Sequence, residues 1–139
     1  MIDSTYKHSE LTEAIIGVFY EVYNELGFGF LESVYRKSLR LALEQRGFKV
    51  QSEAPISVFF RGQNVGDFKA DLIVNDLILL ELKTADSIIR EYEGQVVNYL
   101  RSTLIEIDLI LNFGPKPQVR RFVLDNARKH AKAHKAGET

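Results

Sequence analysis

Apolar positions in the first fifty residues recur at helical spacing. Leu11, Ile15, Phe19, Val22 and Leu26 share one face of a helix that Ser9 would cap and Gly27 would stop. Beyond the turn at Gly27 to Gly29, Leu31, Val34, Tyr35, Leu39, Ala42 and Leu43 mark a second amphipathic helix ending at Gly47. The period then changes. Short β-like runs follow at 48–53, 56–61 and 66–74, separated by Pro55 and an RGQN turn at 61–64, and a fourth run at 77–84 reads LILLELKT. Helical spacing returns from Ser87 to Arg101 through Ile88, Ile89, Tyr92, Val96, Tyr99 and Leu100. Strands at 107–113 and 118–124 close the pattern, with Pro115 and Pro117 breaking between them. The order ααββββαββ predicts an α/β sandwich, a central mixed β-sheet flanked by helices, whose last helix serves as a crossover. There is no repeat, low-complexity block or linker, so one domain is expected over 1–125 with a basic C-terminal tail at 126–139.

The run at 77–84 is apolar on both faces, as in a central strand, yet it carries Glu81 and Lys83. An unpaired buried charge costs several kcal/mol or more, so both residues need a partner, a metal ion or a solvent-filled cleft. Two readings fit: a structural ion pair, or a site of chemistry. Pairing geometry sharpens the second. With a three-residue turn at Asn75 to Leu77, opposite residues sum to 152 and Asp71 faces Glu81. Lys83 then shares their sheet face, while Leu80 and Leu82 point into the other layer. A two-residue turn would set Ala70 against Glu81 and turn Asp71 away, so the chemistry predicts the longer turn or a bulge.

Facing carboxylates in a partly buried cleft ionise together only when a cation lies between them. The chain has no cysteine, and its three histidines, His8, His130 and His134, are scattered in polar surroundings. That leaves oxygen ligands and favours a hard ion, Mg2+ or Mn2+. Asp71, Glu81 and the backbone carbonyl of Leu82 would suffice as protein ligands. Lys83 would orient or deprotonate a metal-activated water, or hold the scissile phosphate, which amounts to phosphodiester hydrolysis.

Charge is uneven along the chain. Residues 1–115 hold 11 Lys and Arg against 17 Asp and Glu, and residues 116–139 hold 7 against 2. Lys116, Arg120, Arg121, Arg128, Lys129, Lys132 and Lys135 form a basic footprint suited to nucleic acid, although residues 128–139 lack apolar periodicity and read as a frayed terminus. No apolar run approaches the length of a membrane span, and the polar amino terminus lacks a signal-peptide layout, so a soluble cytoplasmic protein is expected.

Taken in order, GFLESVY with Gly29, Glu32 and Tyr35, the FKADLIV strand with Asp71, the ELK triplet at 81–83, QVVNYL at 95–100 and NFG at 112–114 resemble a GxxExxY protein. That family lies within the PD-(D/E)XK nuclease superfamily. The resemblance covers nearly the whole chain and implies a restriction-endonuclease-like sandwich. It implies that Asp71 and Glu81 bind magnesium, that Lys83 assists hydrolysis, and that Glu32 adds a ligand or positions water. Gln95 and Tyr99 match a Gln-x-x-x-Tyr pattern of exonuclease-like branches, with Gln95 on substrate or water and Tyr99 on nucleic acid.

Plainer readings stand beside these. Glu32 would favour its helix start through the dipole, Tyr35 and Tyr99 lie on apolar stripes and read as core, and Asn98 and Asn112 are pins or substrate contacts. Many relatives carry His where Tyr23 stands and before the glutamate that Tyr92 precedes here. The expectation is a metal-dependent nuclease acting on DNA, a homodimer if it must span a duplex. The alternatives are a non-catalytic module that binds nucleic acid or docks a partner, and an enzyme acting on a small phosphate-containing molecule.

Overall fold

A computed structural model describes residues 7–129. Helix α1 runs from Ser9 to Leu26 and α2 from Glu32 to Gln45. The expected cap at Ser9 is not used. Ser9 is already helical, His8 occupies the cap position at φ 53° without a side-chain bond, and the Thr12 hydroxyl donates to the Ser9 carbonyl at 3.0 Å. Gly27 ends α1 at φ 70°, a conformation that costs glycine little.

Strands β1 (Val50–Phe60), β2 (Gln63–Val74) and β3 (Ile78–Lys83) follow, then helix α3 (Arg90–Arg101) and strands β4 (Ile107–Phe113) and β5 (Pro117–Val123). The runs expected at 48–53 and 56–61 are thus one strand, and the order is ααβββαββ. Pro55 does not break β1 because β1 is an edge strand, where a missing N–H leaves no neighbour unpaired. Arg61 and Gly62, both at positive φ, make the tight turn into β2.

The five strands pair in sequence order. β1–β2, β2–β3 and β4–β5 are antiparallel, while β3 and β4 are parallel, joined by the α3 crossover. The β2–β3 register is Val74↔Ile78, Ile73↔Leu79 and Leu72↔Leu80, as the three-residue turn requires. Asn75 and Asp76 hold left-handed conformations there, and Leu77 closes the turn on the Val74 carbonyl at 2.9 Å.

Each sheet face buries its own core. Helices α1 and α2 lay Ile15, Phe19, Tyr35 and Leu39 on Leu72, Leu80, Leu82, Leu109 and Phe113, and α3 lays Val96, Tyr99 and Leu100 on Ile73, Leu79 and Ile110. At about 25 cal/mol per Å2 of apolar surface removed from water, these layers supply the main stabilisation. Among the described residues no helix is long and apolar enough to cross a membrane.

Candidate active site

The sheet opens at Asp71. Pairing of β2 with β3 ends at Leu72↔Leu80, so the next position, where Asp71 would face Glu81, is free of backbone pairing. The Asp71 carboxylate takes over, its Oδ2 accepting the Leu82 N–H at 2.8 Å. Across β2 the ladder also skips a step: Ser52↔Leu72 and Ala54↔Ala70 pair, but Glu53, opposite Asp71, stands at φ 53°. The hairpin changes layers at this point. Val50, Leu72 and Val74 pack under α1 and α2, whereas Ala54, Ile56 and Ala70 pack under α3.

Glu81 is 4% exposed, and its Oε1 has no hydrogen-bond partner among the described residues. Burial, and then the neighbouring Asp71 charge, push its carboxyl up to about 9, with the two carboxyl groups within hydrogen-bonding reach. Burial also raises Asp71, against the opposing pull of the Leu82 N–H, Lys83 and Arg36. Glu32, in the first turn of α2, is raised by burial and then by Asp71, which places it beside the pair. The Lys83 ammonium lies 4.5 Å from the centre of the Tyr92 ring, a cation–π contact that fixes its direction.

Three further ionisable groups, Arg36, Glu53 and Asp108, belong to this cluster and escaped the sequence reading. Arg36, one turn beyond Glu32, is 3.3 Å from Glu53 and acts electrostatically on both Glu32 and Asp71. Asp108 on β4 is fully buried with neither oxygen partnered among the described residues. Burial, then Glu81 and Asp71, raise it well above the ordinary carboxylate range. An Asp inside the apolar run IDLILNF was the available signal, the same one that exposed Glu81.

These residues suit a hard divalent cation. Glu32, Glu53 and Asp71 set three carboxylates against Arg36 and Lys83, while Glu81 and Asp108 are held as neutral acids by their burial, and a cation beside Glu81 would let it ionise. Among the described residues no three His, Cys, Asp or Glu side chains converge as a ready cage. Ligation would be completed by a carbonyl, water or phosphate oxygen, as is usual for magnesium. The Leu82 carbonyl leaves its strand on the side of the Leu82 N–H, toward Asp71.

Gln95 and Tyr99 occupy one face of α3, with Gln95 exposed and close enough to the Tyr99 hydroxyl to act on it. Tyr99 is 5% exposed, and its ring centre lies 5.3 Å from that of Phe68, so it is core. Burial, and then Glu81, Asp71 and Asp108, push its hydroxyl up to about 12.

The expected substrate pair Arg120 and Arg121 is split by strand alternation. Arg120 lies opposite Ile110 on the α3 face, 3.5 Å from Glu93, whereas Arg121 lies opposite Leu109 and donates to the Lys7 carbonyl at 2.6 Å. Only Arg120 is on the side of Glu81. The tail also differs from expectation at its start. Residues 126–129 make a helical turn, and Lys129 is buried with its ammonium on the Thr103 and Ile105 carbonyls. His130, Lys132, His134 and Lys135 lie outside the described residues.

The other motif residues hold the site's framework. Tyr35 is fully buried, stacked 4.3 Å from Phe113. Its hydroxyl donates to the Gly27 carbonyl at 2.5 Å and accepts from the Phe30 N–H at 3.3 Å, which fixes the turn leading into Glu32. Asn112 accepts from the Ala85 N–H at 3.0 Å and donates to the Ala85 carbonyl at 2.9 Å, so it is a pin. A methyl group on Gly114 would sit 1.9 Å from that Ala85 oxygen, so glycine is required there by close approach. Together they clamp the chain two residues beyond Lys83. Tyr23 donates to the Gly114 carbonyl at 2.7 Å and has a structural task.

Known proteins share the fold and the family. The crystal structure of SSO0001 superposes with a TM-score of 0.55 at 20% identity, over 96% of this chain and 68% of that one, a likeness of fold. A candidate exonuclease from Eubacterium rectale gives a TM-score of 0.36 at 12% identity over 100% of this chain and 65% of that one, too low to carry an argument. No curated protein matches the sequence. The family model of the PD-(D/E)XK nuclease superfamily matches residues 9–122, from the start of α1 to β5, and so takes in every group of the cluster. The chain belongs to the PD-(D/E)XK nuclease superfamily.

Proposed function

We propose that this protein is a metal-dependent nuclease of the GxxExxY type that hydrolyses phosphodiester bonds of DNA, with residues 1–125 as its single nuclease-like domain. The observation that carries the reading is the pair Asp71 and Glu81 at the gap in the sheet, one of its oxygens buried without a partner, beside the Lys83 ammonium. An ion pair that merely held the sheet together would leave no such oxygen. PD-(D/E)XK nucleases typically use divalent ions. A bound Mg2+ or Mn2+ would supply Lewis-acid charge at the phosphate and lower the pKa of the attacking water.

Asp71, Glu81 and the Leu82 carbonyl would hold that ion, with Asp71 oriented by the Leu82 N–H. Hydrolysis joins the oxygen of water to phosphorus, breaks the bond from phosphorus to a sugar oxygen, and moves one proton to the departing oxygen. Lys83, steered by Tyr92, offsets the negative charge that gathers on the phosphoryl oxygens. Glu32 accepts a hydrogen bond from the water and positions it, and Gln95 meets the strand at the exposed edge of α3.

The test is cleavage of labelled single-stranded, duplex and branched DNA with magnesium, manganese or a chelator, beside Asp71→Ala and Lys83→Ala. Metal-dependent cutting lost in both variants is expected, and removing one preorganised charge-stabilising group is expected to cost about a hundredfold or more in rate. Cutting that survives in both variants would refute the assignment, and DNA binding without cutting by the intact protein would favour a non-catalytic module.

A further inference from the structure

Glu53 is the strained residue of the sheet. It sits in the middle of β1 at φ 53°, a conformation that a non-glycine residue adopts at a cost, and the ladder omits its pairing with Asp71. The strain aims its carboxylate at Arg36, 3.3 Å away, across the site from Glu81. The two ends of this ion pair are unequal. The Arg36 side chain is 18% exposed and the Glu53 side chain 55%, so the cation is held in the cleft while its partner faces water.

We propose that Arg36 is the phosphate-binding arginine of this site and that Glu53 is its resting counter-ion, displaced when the substrate phosphate arrives. The proposal rests on the nuclease reading. Arg36 follows Glu32 by one helical turn, so the two project from the same face of α2, and both Glu32 and Asp71 feel its charge. A guanidinium presents a planar fork that meets two phosphate oxygens at once, a geometry that a lysine cannot copy. Lys83 reaches the cleft from β3 and Arg36 from α2, so a phosphate between them is held from two sides.

The exchange is easy in one direction. A half-exposed ion pair shifts an equilibrium by no more than about fivefold, whereas a bidentate charge-assisted contact in a partly dry cleft is worth about tenfold to a hundredfold. Glu53 therefore keeps the guanidinium oriented without competing strongly for it. It also shields Glu32 and Asp71 from forming their own ion pair with Arg36, which would take them from the metal.

The test compares Arg36→Ala, Arg36→Lys and Glu53→Gln with the intact full chain, using a labelled single-stranded oligonucleotide. KM and kcat are read in magnesium and binding in calcium, with the thermal midpoint and magnesium affinity measured alongside. Arg36→Ala is expected to raise KM and weaken oligonucleotide binding about tenfold to a hundredfold with no weakening of magnesium affinity, since a competing cation leaves the site, and Arg36→Lys to recover part of that loss. Glu53→Gln is expected to move KM the other way, downward by a few fold, because the guanidinium is released. A purely structural ion pair makes the opposite forecast, since Arg36→Ala and Glu53→Gln break the same contact and would change KM and thermal midpoint alike. That result, or unchanged KM and binding in Arg36→Ala, would overturn the proposal. Absence of cleavage by the intact chain would overturn it together with the nuclease reading, and would be visible before any variant is compared.

Discussion

Glu81→Gln in the metal-free protein tests the central electrostatic argument without any substrate. Glu81 titrates at 4.5 in the unfolded chain and at about 9 in the folded one, where burial and Asp71 disfavour its charge. Between those values the unfolded state has released the proton and the folded state has kept it. Stability therefore falls as pH rises, by about 1.4 kcal/mol per pH unit. From 4.5 to about pH 7.5 the loss approaches about 4 kcal/mol, an upper limit because water entering the gap would relieve part of it. Glutamine keeps the hydrogen bond toward Asp71 that a protonated Glu81 makes, and it does not titrate. Urea unfolding in a chelator from about pH 5 to about pH 8.5 should show a falling wild-type stability and a flatter variant, about one proton apart in slope. Asp108→Asn should flatten the curve in the same sense, since Asp108 is also raised by burial. Saturating magnesium should then reverse the ranking, adding about 3 kcal/mol to wild type at about a hundredfold excess over Kd and little to Glu81→Gln. Parallel pH slopes for wild type and Glu81→Gln in the chelator would mean that Glu81 is ionised in the folded protein without a cation, and the reasoning would fall.

Gly114→Ala forces a methyl group to 1.9 Å from the Ala85 carbonyl, so the clamp behind Lys83 must shift. A loss of about 1–3 kcal/mol, read as a thermal midpoint lower by roughly 4 °C per kcal/mol, is expected, with a fall in kcat beyond what the folded fraction explains. Tyr35→Phe removes the hydroxyl that bridges Gly27 and Phe30, and should cost about 1–2 kcal/mol in chemical denaturation while loosening Glu32. Unchanged stability in either variant would remove that residue from the framework described above.

Much of this site was legible because charge in an apolar run is conspicuous. Glu81 and Lys83 stood out in LILLELKT, and the demand that Asp71 share their face led to the three-residue turn observed at Asn75 to Leu77. The same logic applied to Asp108 would have found it, but one acid in IDLILNF was passed over as part of a strand. Pro55 was misread because the tolerance of an edge strand depends on which strand has no outer neighbour, a property of the assembled sheet. Arg120 and Arg121 looked like one patch in sequence and are two in space, since adjacent strand residues face opposite layers. Arg36 belongs to the cluster because it lies one turn beyond Glu32 on α2, and its partner Glu53 takes a left-handed conformation in mid-strand that no pattern of apolar residues announces.

The opening of the sheet at Asp71 explains why the charges gather where they do. A continuous β2–β3 ladder would consume the Leu82 N–H in backbone pairing and leave Asp71 nothing to accept. Ending the ladder at Leu72↔Leu80 frees that donor, and the Asp71 carboxylate that takes it is thereby aimed at Glu81. On its other side the skipped pairing leaves Glu53 beside Arg36, which α2 brings to the same cleft. Two local losses of backbone pairing thus produce a convergence of acids and cations that an unbroken sheet would keep apart. Lys83 alone needs no such break, because it ends β3 where the parallel partner Asn112 is already turned to hold Ala85. The fold accordingly gathers most of its electrostatic cost at the end of β3 that carries Glu81 and Lys83, with Asp108, opposite Leu79, as the acid set deeper in the sheet.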